Sequence, residues 1–287
     1  MGERRGELCR VSCNVCGADD TIPVTVQSGW PVVRCRRCGF VYVNPRPDPS
    51  RLPSLYDDYL PSRMADPGSW RRYMERVFRT TAAMIEELAP GRGGVLDVGC
   101  GYGYFVEEMA RRGWRACGVD LSASAVEAAR ARGLRVERGS VERLPPGLRG
   151  PFDAVTMFYV LEHLHDPLSA LEGVRRLLRP GGVLVLRLPH TTPIVRLLDL
   201  VGVKNNLYDP PFHLCDFSPS TVRIILEKAG FSVVKTCIGG WTEPLSPGPR
   251  LASALSGRLA SLLSKATGGR LLLPGVSKTT LALREPS

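Results

Sequence analysis

The sequence predicts an α/β protein built on a doubly wound parallel sheet, with a small metal-stapled unit ahead of it. Three observations carry that prediction. From residue 94 onward, short apolar runs alternate with amphipathic segments. A glycine-rich turn follows the first run, and two Cys-x2-Cys-Gly pairs stand before residue 40. Repeated β and α units with short connections form a parallel sheet covered on both faces. The 287 residues are 44% apolar and 23% charged, enough for one large domain plus a small appendage, and they exclude wholesale disorder.

Residues 1–48 form the predicted head. Cys13-x2-Cys16 and Cys35-x2-Cys38 are separated by 18 residues, a spacing that fits a zinc ribbon. Each Cys-x2-Cys turn brings two thiolates to one ion, and Gly17 and Gly39 permit the tight knuckle after each pair. Four thiolates complete a tetrahedral shell, so Zn2+ here is structural. Four unrelated buried thiols, or a redox pair, are the competing readings. Thr21–Gln27 and Pro31–Arg34 read as strands about a Ser28-Gly29 turn, with Phe40–Val43 as a third. Three prolines at 45, 47 and 49 then stop the unit. Cys9, Cys100, Cys117, Cys215 and Cys237 remain as spare or packing residues.

Residues 49–92 read as a helical linker. Ser69 is the expected N-cap of a helix that turns Tyr73, Val77, Phe78, Ile85 and Leu88 toward a core, ended by Pro90-Gly91. Tyr56 and Tyr59 precede it, as a lid or as packing residues. Residues 93–287 carry the sheet. Its expected strands are Gly94–Val98, Trp114–Val119, Leu134–Glu137, Phe152–Phe158, Gly182–Leu188, Phe231–Ile238 and Thr279–Arg284. Helices fall near 103–112, at Ser122–Arg132, at Pro167–Leu178, and from Ser218-Pro219 to Ala229. Residues 241–278 form an insertion with one helix near 250–265.

The first strand runs into Asp97-Val-Gly99-Cys-Gly101-Tyr102-Gly103. Glycines let backbone pass close under a ligand, and the following helix offers unpaired N–H groups. A dinucleotide site would place its third glycine one residue later. Asp97, beside the turn, would repel a pyrophosphate but suits a ligand bearing an ammonium and a sulfonium. The next strand ends at Asp120, 17 residues after Gly103, where a carboxylate accepts ribose hydroxyls. Leu121 can then lie against an adenine face.

At these residues the chain resembles the class I S-adenosylmethionine (SAM)-dependent methyltransferases, in register over 94–188 and more loosely to 284. With the cysteine pairs it is similar to a bacterial subgroup that carries a zinc-ribbon head. The resemblance implies a Rossmann-like seven-stranded sheet with helices on both faces, and SAM as cofactor. It implies that Asp97 orients the turn and the methionine end, with Gly99, Gly101, Tyr102 and Gly103 beneath the ligand. Asp120 and Leu121 take the ribose and adenine, and backbone near Phe158 meets the methionine ammonium. The family often has Gly-Asp after the third strand. Here the residues are Gly139-Ser140-Val141-Glu142, so Ser140, the backbone of Val141 or Glu142 takes the adenine contact.

Methyl transfer often needs a base for the acceptor's proton. His163 and His165 follow the fourth predicted strand, His190 ends the fifth, and His213 sits in a segment expected to cover the site, so all four lie near the strand ends where ligands of this architecture bind. His163 and His213 are the candidate bases. The expected function is methylation of a small-molecule acceptor at O, C or N, of secondary-metabolite, sugar, quinone or lipid type. The alternative is an RNA or protein methyltransferase whose ribbon presents a macromolecule, and a third reading is a non-catalytic SAM-binding scaffold. The head has little aromatic interleaving for base stacking, which argues against nucleic acid.

The net charge of +10 comes from 38 basic and 28 acidic residues. Half of the excess lies between Arg250 and Lys278, which also hold Arg258, Lys265 and Arg270 and no acid. Leu251, Leu255, Leu259, Leu262 and Leu263 line one helical face beside those charges. That face packs on its own domain or on a second subunit; peripheral contact with an anionic membrane through 250–265 is the alternative. No apolar run reaches transmembrane length, and Met1–Glu7 leads into no apolar leader core, so a cytoplasmic location is expected.

Overall fold

The computed structural model describes residues 8–51, 67–238, 247–267 and 277–286. In the head, β2 (Thr21–Gln27) and β3 (Trp30–Cys35) form a hairpin, and β4 (Val41–Val43) pairs antiparallel with β3. The turn at Ser28-Gly29 takes φ 49° and 79°, as a tight hairpin of this hand requires. A short ladder joins β1 (Leu8–Cys9) to β5 (Arg46–Pro47). The predicted Thr21–Gln27 strand is matched residue for residue.

The linker helix α1 spans Pro67–Leu88. It starts two residues before the expected cap, so Ser69 sits in the first turn and accepts from Arg72. Tyr56 and Tyr59 lie outside the described residues.

The large sheet has the order β12 (Phe231–Cys237), β13 (Lys278–Arg284), β10 (Leu178–Leu188), β9 (Phe152–Phe158), β6 (Gly94–Val98), β7 (Arg115–Asp120), β8 (Val136–Arg138). β13 runs antiparallel to both of its neighbours, and the remaining ladders are parallel. All five residues of β6 are buried, as a parallel strand covered on both faces should be. Alternate side chains feed two cores. Leu96, Val155 and Leu186 face α4 (Pro167–Leu177) and α6 (Pro219–Lys228), while Val95, Ala154 and Val185 face α1 and α2 (Tyr104–Arg111). A smaller core lies under α3 (Ala123–Ala131). Caps explain several helix starts. Asp166 accepts from Ser169 N–H before Pro167, and Ser218 forms a capping box with Thr221 before Pro219.

Besides the short β1 and β5, two elements that bear on the site were not legible in the sequence. Helix α5 (Thr192–Leu200) follows β10, and β11 (Cys215–Asp216) joins the head's sheet as the outer neighbour of β4. The head also shares a core with the large sheet: Cys13, Val15, Cys35, Phe40 and Tyr42 pack with Phe217 and the α6 side chains.

Helix α7 spans Pro247–Ala266, a little longer than expected. Its leucine stripe does not pack on its own domain: Leu251, Leu255, Leu259 and Leu262 are 53–66% exposed, and Ala260 takes the buried face instead. Lys278, counted with the basic insertion from sequence, is fully buried at the start of β13. Strand pairing with Leu188 draws it inside. Arg270 lies outside the described residues. No helix among the described residues is long and apolar enough to cross a membrane.

Candidate active site and cysteine cluster

The glycine turn sits at the carboxyl end of β6. Gly99, Gly101 and Gly103 all have positive φ, which L side chains resist. At Gly99 a Cβ would lie 2.3 Å from Val160 Cγ2, whereas at Gly101 it would meet nothing within 4 Å. Gly99 is thus fixed by packing and Gly101 by its conformation beside open space. Gly99 and Cys100 N–H both donate to Val119 O, folding the turn over β7. Gly103 caps α2 without a side-chain bond, so the helix N-terminus keeps donors for a ligand. Tyr102 is half-buried near Tyr104, and Arg132 donates to its carbonyl.

Asp97 is buried and accepts from Thr156 Oγ1 at 2.6 Å. Burial pushes its carboxyl up to about 8, against the Thr156 bond and with Asp120 adding to the rise. Asp120 ends β7 with one oxygen accepting from Gly101 N–H at 2.7 Å and the other from Ser122 N–H at 2.8 Å. Its carboxyl is also raised by burial. Two buried acids beside an uncapped helix start form a cradle for a ligand with a cationic end. Leu121 stands next to Asp120 with 54% of its surface exposed. Ser140 is half-buried and Val141 buried just past β8. The Phe158 ring turns away into the Phe78–Phe105 cluster, at 5.2 and 4.8 Å, which leaves only its backbone at the strand end.

The histidines separate into different settings. His163 and His213 are brought together, with ring centroids 4.7 Å apart and planes at 69°. His163 Nδ1 lies 2.9 Å from Phe212 O and donates to it in the tautomer assigned here, which makes Nε2 the basic nitrogen. His165 instead turns toward the head, 3.3 Å from Cys9 Sγ. Burial, with Arg46 nearby, holds His165 down to about 4, and burial with Lys278 does the same to His190.

Sequence reasoning passed over several buried groups around this pair. Both Glu162 oxygens are buried without a hydrogen-bond partner among the described residues, and burial raises that carboxyl to about 8. Glu162, His163 and His213 place one oxygen and two nitrogens within 4.8 Å of one another, able to share a proton or a cation. Lys278 donates to Pro189 O and is lowered to about 8 by burial. Arg187 reaches Tyr159 OH at 3.0 Å and Thr279 Oγ1 at 2.9 Å. The readable signal was a polar residue inside an apolar strand, Thr156 in β9 and Arg187 in β10.

In the head, Cys13, Cys16, Cys35 and Cys38 bring their sulfurs within 4.8 Å of one another. Cys13–Cys38 and Cys16–Cys35 are each 3.5 Å apart. Gly17 and Gly39 both take φ 77° and donate to the carbonyls of Cys13 and Cys35, as the spacing required. Burial pushes the Cys13 thiol up to about 11. A soft divalent ion that displaces the protons suits this set, and four closely spaced sulfurs fit tetrahedral Zn2+.

A seven-stranded sheet with one antiparallel strand, a glycine turn between two acids, and a ligand face at the strand ends define the Rossmann-like class I methyltransferase fold. A methyltransferase domain family model matches residues 70–236, more than half of the chain, and the chain belongs to that family. It is 42% identical over 126 residues to a ubiquinone biosynthesis O-methyltransferase of Xanthomonas oryzae pv. oryzae, covering 41% of this chain and 51% of that relative. To the protein of the same name from Xanthomonas axonopodis pv. citri it is 36% identical over 178 residues, 58% of this chain and 73% of the relative. The chain thus spans about half the length of the first of these curated relatives. Magnesium protoporphyrin IX methyltransferase from Synechocystis PCC 6803, solved with bound SAH, shares the fold at TM-score 0.52 and 18% identity, over 81% of this chain and 99% of that one.

Proposed function

We propose that the chain transfers the methyl group of SAM to a hydroxyl of a small-molecule acceptor. One observation supports this most: a single sheet end carries both a two-acid glycine cradle and the His163–His213 pair. Bound SAM supplies a methyl carbon activated by its sulfonium. Asp97 holds the ammonium end, and the turn from Gly99 through Tyr102 to Gly103 presents backbone beneath the ligand. Asp120 accepts the ribose hydroxyls, Leu121 covers the adenine, and Ser140 with the Val141 backbone meets its edge. The Phe158 backbone completes the methionine end. His163 or His213 takes the proton that the acceptor hydroxyl loses. Zn2+ sits in the four-cysteine cluster as a structural ion, and a reducing cytoplasm fits those free thiols.

Oxygen as the acceptor atom rests on the relatives' O-methyltransferase names. A quinone-type small molecule follows from the same source. The α7 leucine stripe, exposed beside Arg258, is proposed to rest on an anionic membrane surface, where an apolar acceptor would gather.

Labelled SAM incubated with the protein and fractionated cell extract tests the acceptor class. Label is expected in the low-molecular-mass, solvent-extractable fraction. Label in the RNA or protein fraction would support the macromolecular alternative instead.

A further inference from the structure

The four-cysteine head holds the segment that carries His213. Bonds from β2, the Ser28 turn and β4 make that hold. The buried Gln27 side chain donates to Asn205 Oδ1 and accepts from Tyr208 N–H, both at 3.0 Å. Ser28 Oγ donates to Asn206 Oδ1 at 3.0 Å. Val43 N–H donates to Leu214 O at 2.9 Å, and Cys215 and Asp216 then pair with Tyr42 and Val41. On the other side, Leu214 N–H donates to Glu162 O at 2.8 Å, one residue from His163. The seam between head and segment is lined by Val32, Val43, Tyr208 and His213.

Residues 201–214 contain no helix or strand, and β11 has no partner in the large sheet. An irregular segment acquires a fixed conformation only from what it is bonded to. Here those bonds come from β2, the Ser28 turn, β4 and the turn after β9, and from α5 through Thr192 with Tyr208 and Leu198 with Val203. The β2–β3 hairpin in turn runs between the two cysteine pairs and β4 follows the second, with Cys35 N–H donating to Phe40 O and Arg36 N–H to Asp20 O.

We infer that the zinc-bound head is a positioning device for the acceptor side: through Gln27 and the β4–β11 ladder it sets the His163–His213 contact. Gln27 is a positioning residue, remote in sequence from the histidine it places. The inference builds on the proposed methyltransferase activity but is read from His213 itself, so the two can fail separately.

The test uses the full chain in two variants, Gln27→Ala and Cys38→Ser, with zinc content, SAM calorimetry, amide exchange and histidine ring NMR as readouts. Gln27→Ala should keep one zinc per chain and a SAM Kd within about twofold of the parent. Its Leu214 amide should exchange at least about tenfold faster, and the His213 ring should lose the ring-current shift from its edge contact with His163. Cys38→Ser should lose zinc and show the same two changes, again with SAM affinity kept. Unchanged Leu214 exchange and His213 shift in both variants would overturn the inference. So would loss of SAM binding in Cys38→Ser, which would make the head a general stabiliser. Should the parent chain bind no SAM, the proposed activity fails while the exchange and ring readouts still decide the role of the head.

Discussion

Asp97 illustrates how a single residue ties burial to ligand choice. In the ligand-free chain its carboxyl sits near 8 because no cation offsets its burial. A cationic ligand end favours the carboxylate, so binding expels a proton at neutral pH. SAM affinity should therefore tighten as pH rises from 6 toward 8, by up to about tenfold per unit, and then level off. Calorimetry in two buffers of different ionisation enthalpy measures the proton released. A Kd flat across that range would remove Asp97 from the ammonium site. Asp120→Ala should abolish SAM binding at intact secondary structure, because it deletes both the proposed ribose acceptor and the bond that holds Gly101 N–H. Normal binding by that variant would defeat the cradle reading. Asp97 and Asp120 were readable in sequence as acids at strand ends. Thr156 stood out only as a polar residue in an apolar strand, and its partner was not readable, since strand pairing of β9 with β6 is what sets its hydroxyl against Asp97.

Elements carry their own signals, and some of those can be priced in stability. Ser218 before Pro219 was legible as a helix start, and the structure forms the full capping box there. Ser218→Ala should destabilise the chain by about 1 kcal/mol in denaturant titration, with no change in slope. The cysteine pairs predicted a metal staple from spacing alone. Cys13→Ser should release zinc and lower the head's thermal stability, measured by metal analysis beside a melting curve; full zinc content in that variant would count against the ribbon. Other elements gave no signal. β11 is two residues long and sits among Pro, His and Phe, with no alternation to read. The leucine stripe of α7 had a clear helical period, yet periodicity identifies an apolar face without saying what covers it.

Across the whole molecule, buried acids govern how stability responds to pH. Asp97 and Glu162 both rise to about 8, so the folded chain holds those protons more tightly than the unfolded one. Their contribution is full below pH about 4 and is lost as pH climbs to about 8. Lys278 is lowered to about 8, so its change lies above that window and runs the other way, with stability gained as pH rises past it. His165 and His190, held down to about 4, oppose the acids up to pH about 6.5, so the ligand-free melting temperature should fall mainly between pH about 6.5 and 8. SAM should flatten that fall, because it engages Asp97 in its charged form. At about 100 times its Kd, SAM should add about 2.7 kcal/mol of stability in a thermal-shift titration. A ligand-free melting temperature that rises over this range would show that the two acids are charged in the folded chain.

By itself the sequence determined the order of strands and helices, the glycine turn with its two acids, and the four-cysteine spacing. Each of these is written in local periodicity, in backbone chemistry that only Gly or Pro supplies, or in fixed residue intervals. Tertiary structure alone decided which histidines meet, that His165 faces Cys9, and that Lys278 is buried although it reads as a surface charge. It also decided that the head's sheet is completed by a strand some 170 residues further along the chain. Those outcomes depend on non-local pairing, whose partners carry no mark of one another until the backbone has closed around them.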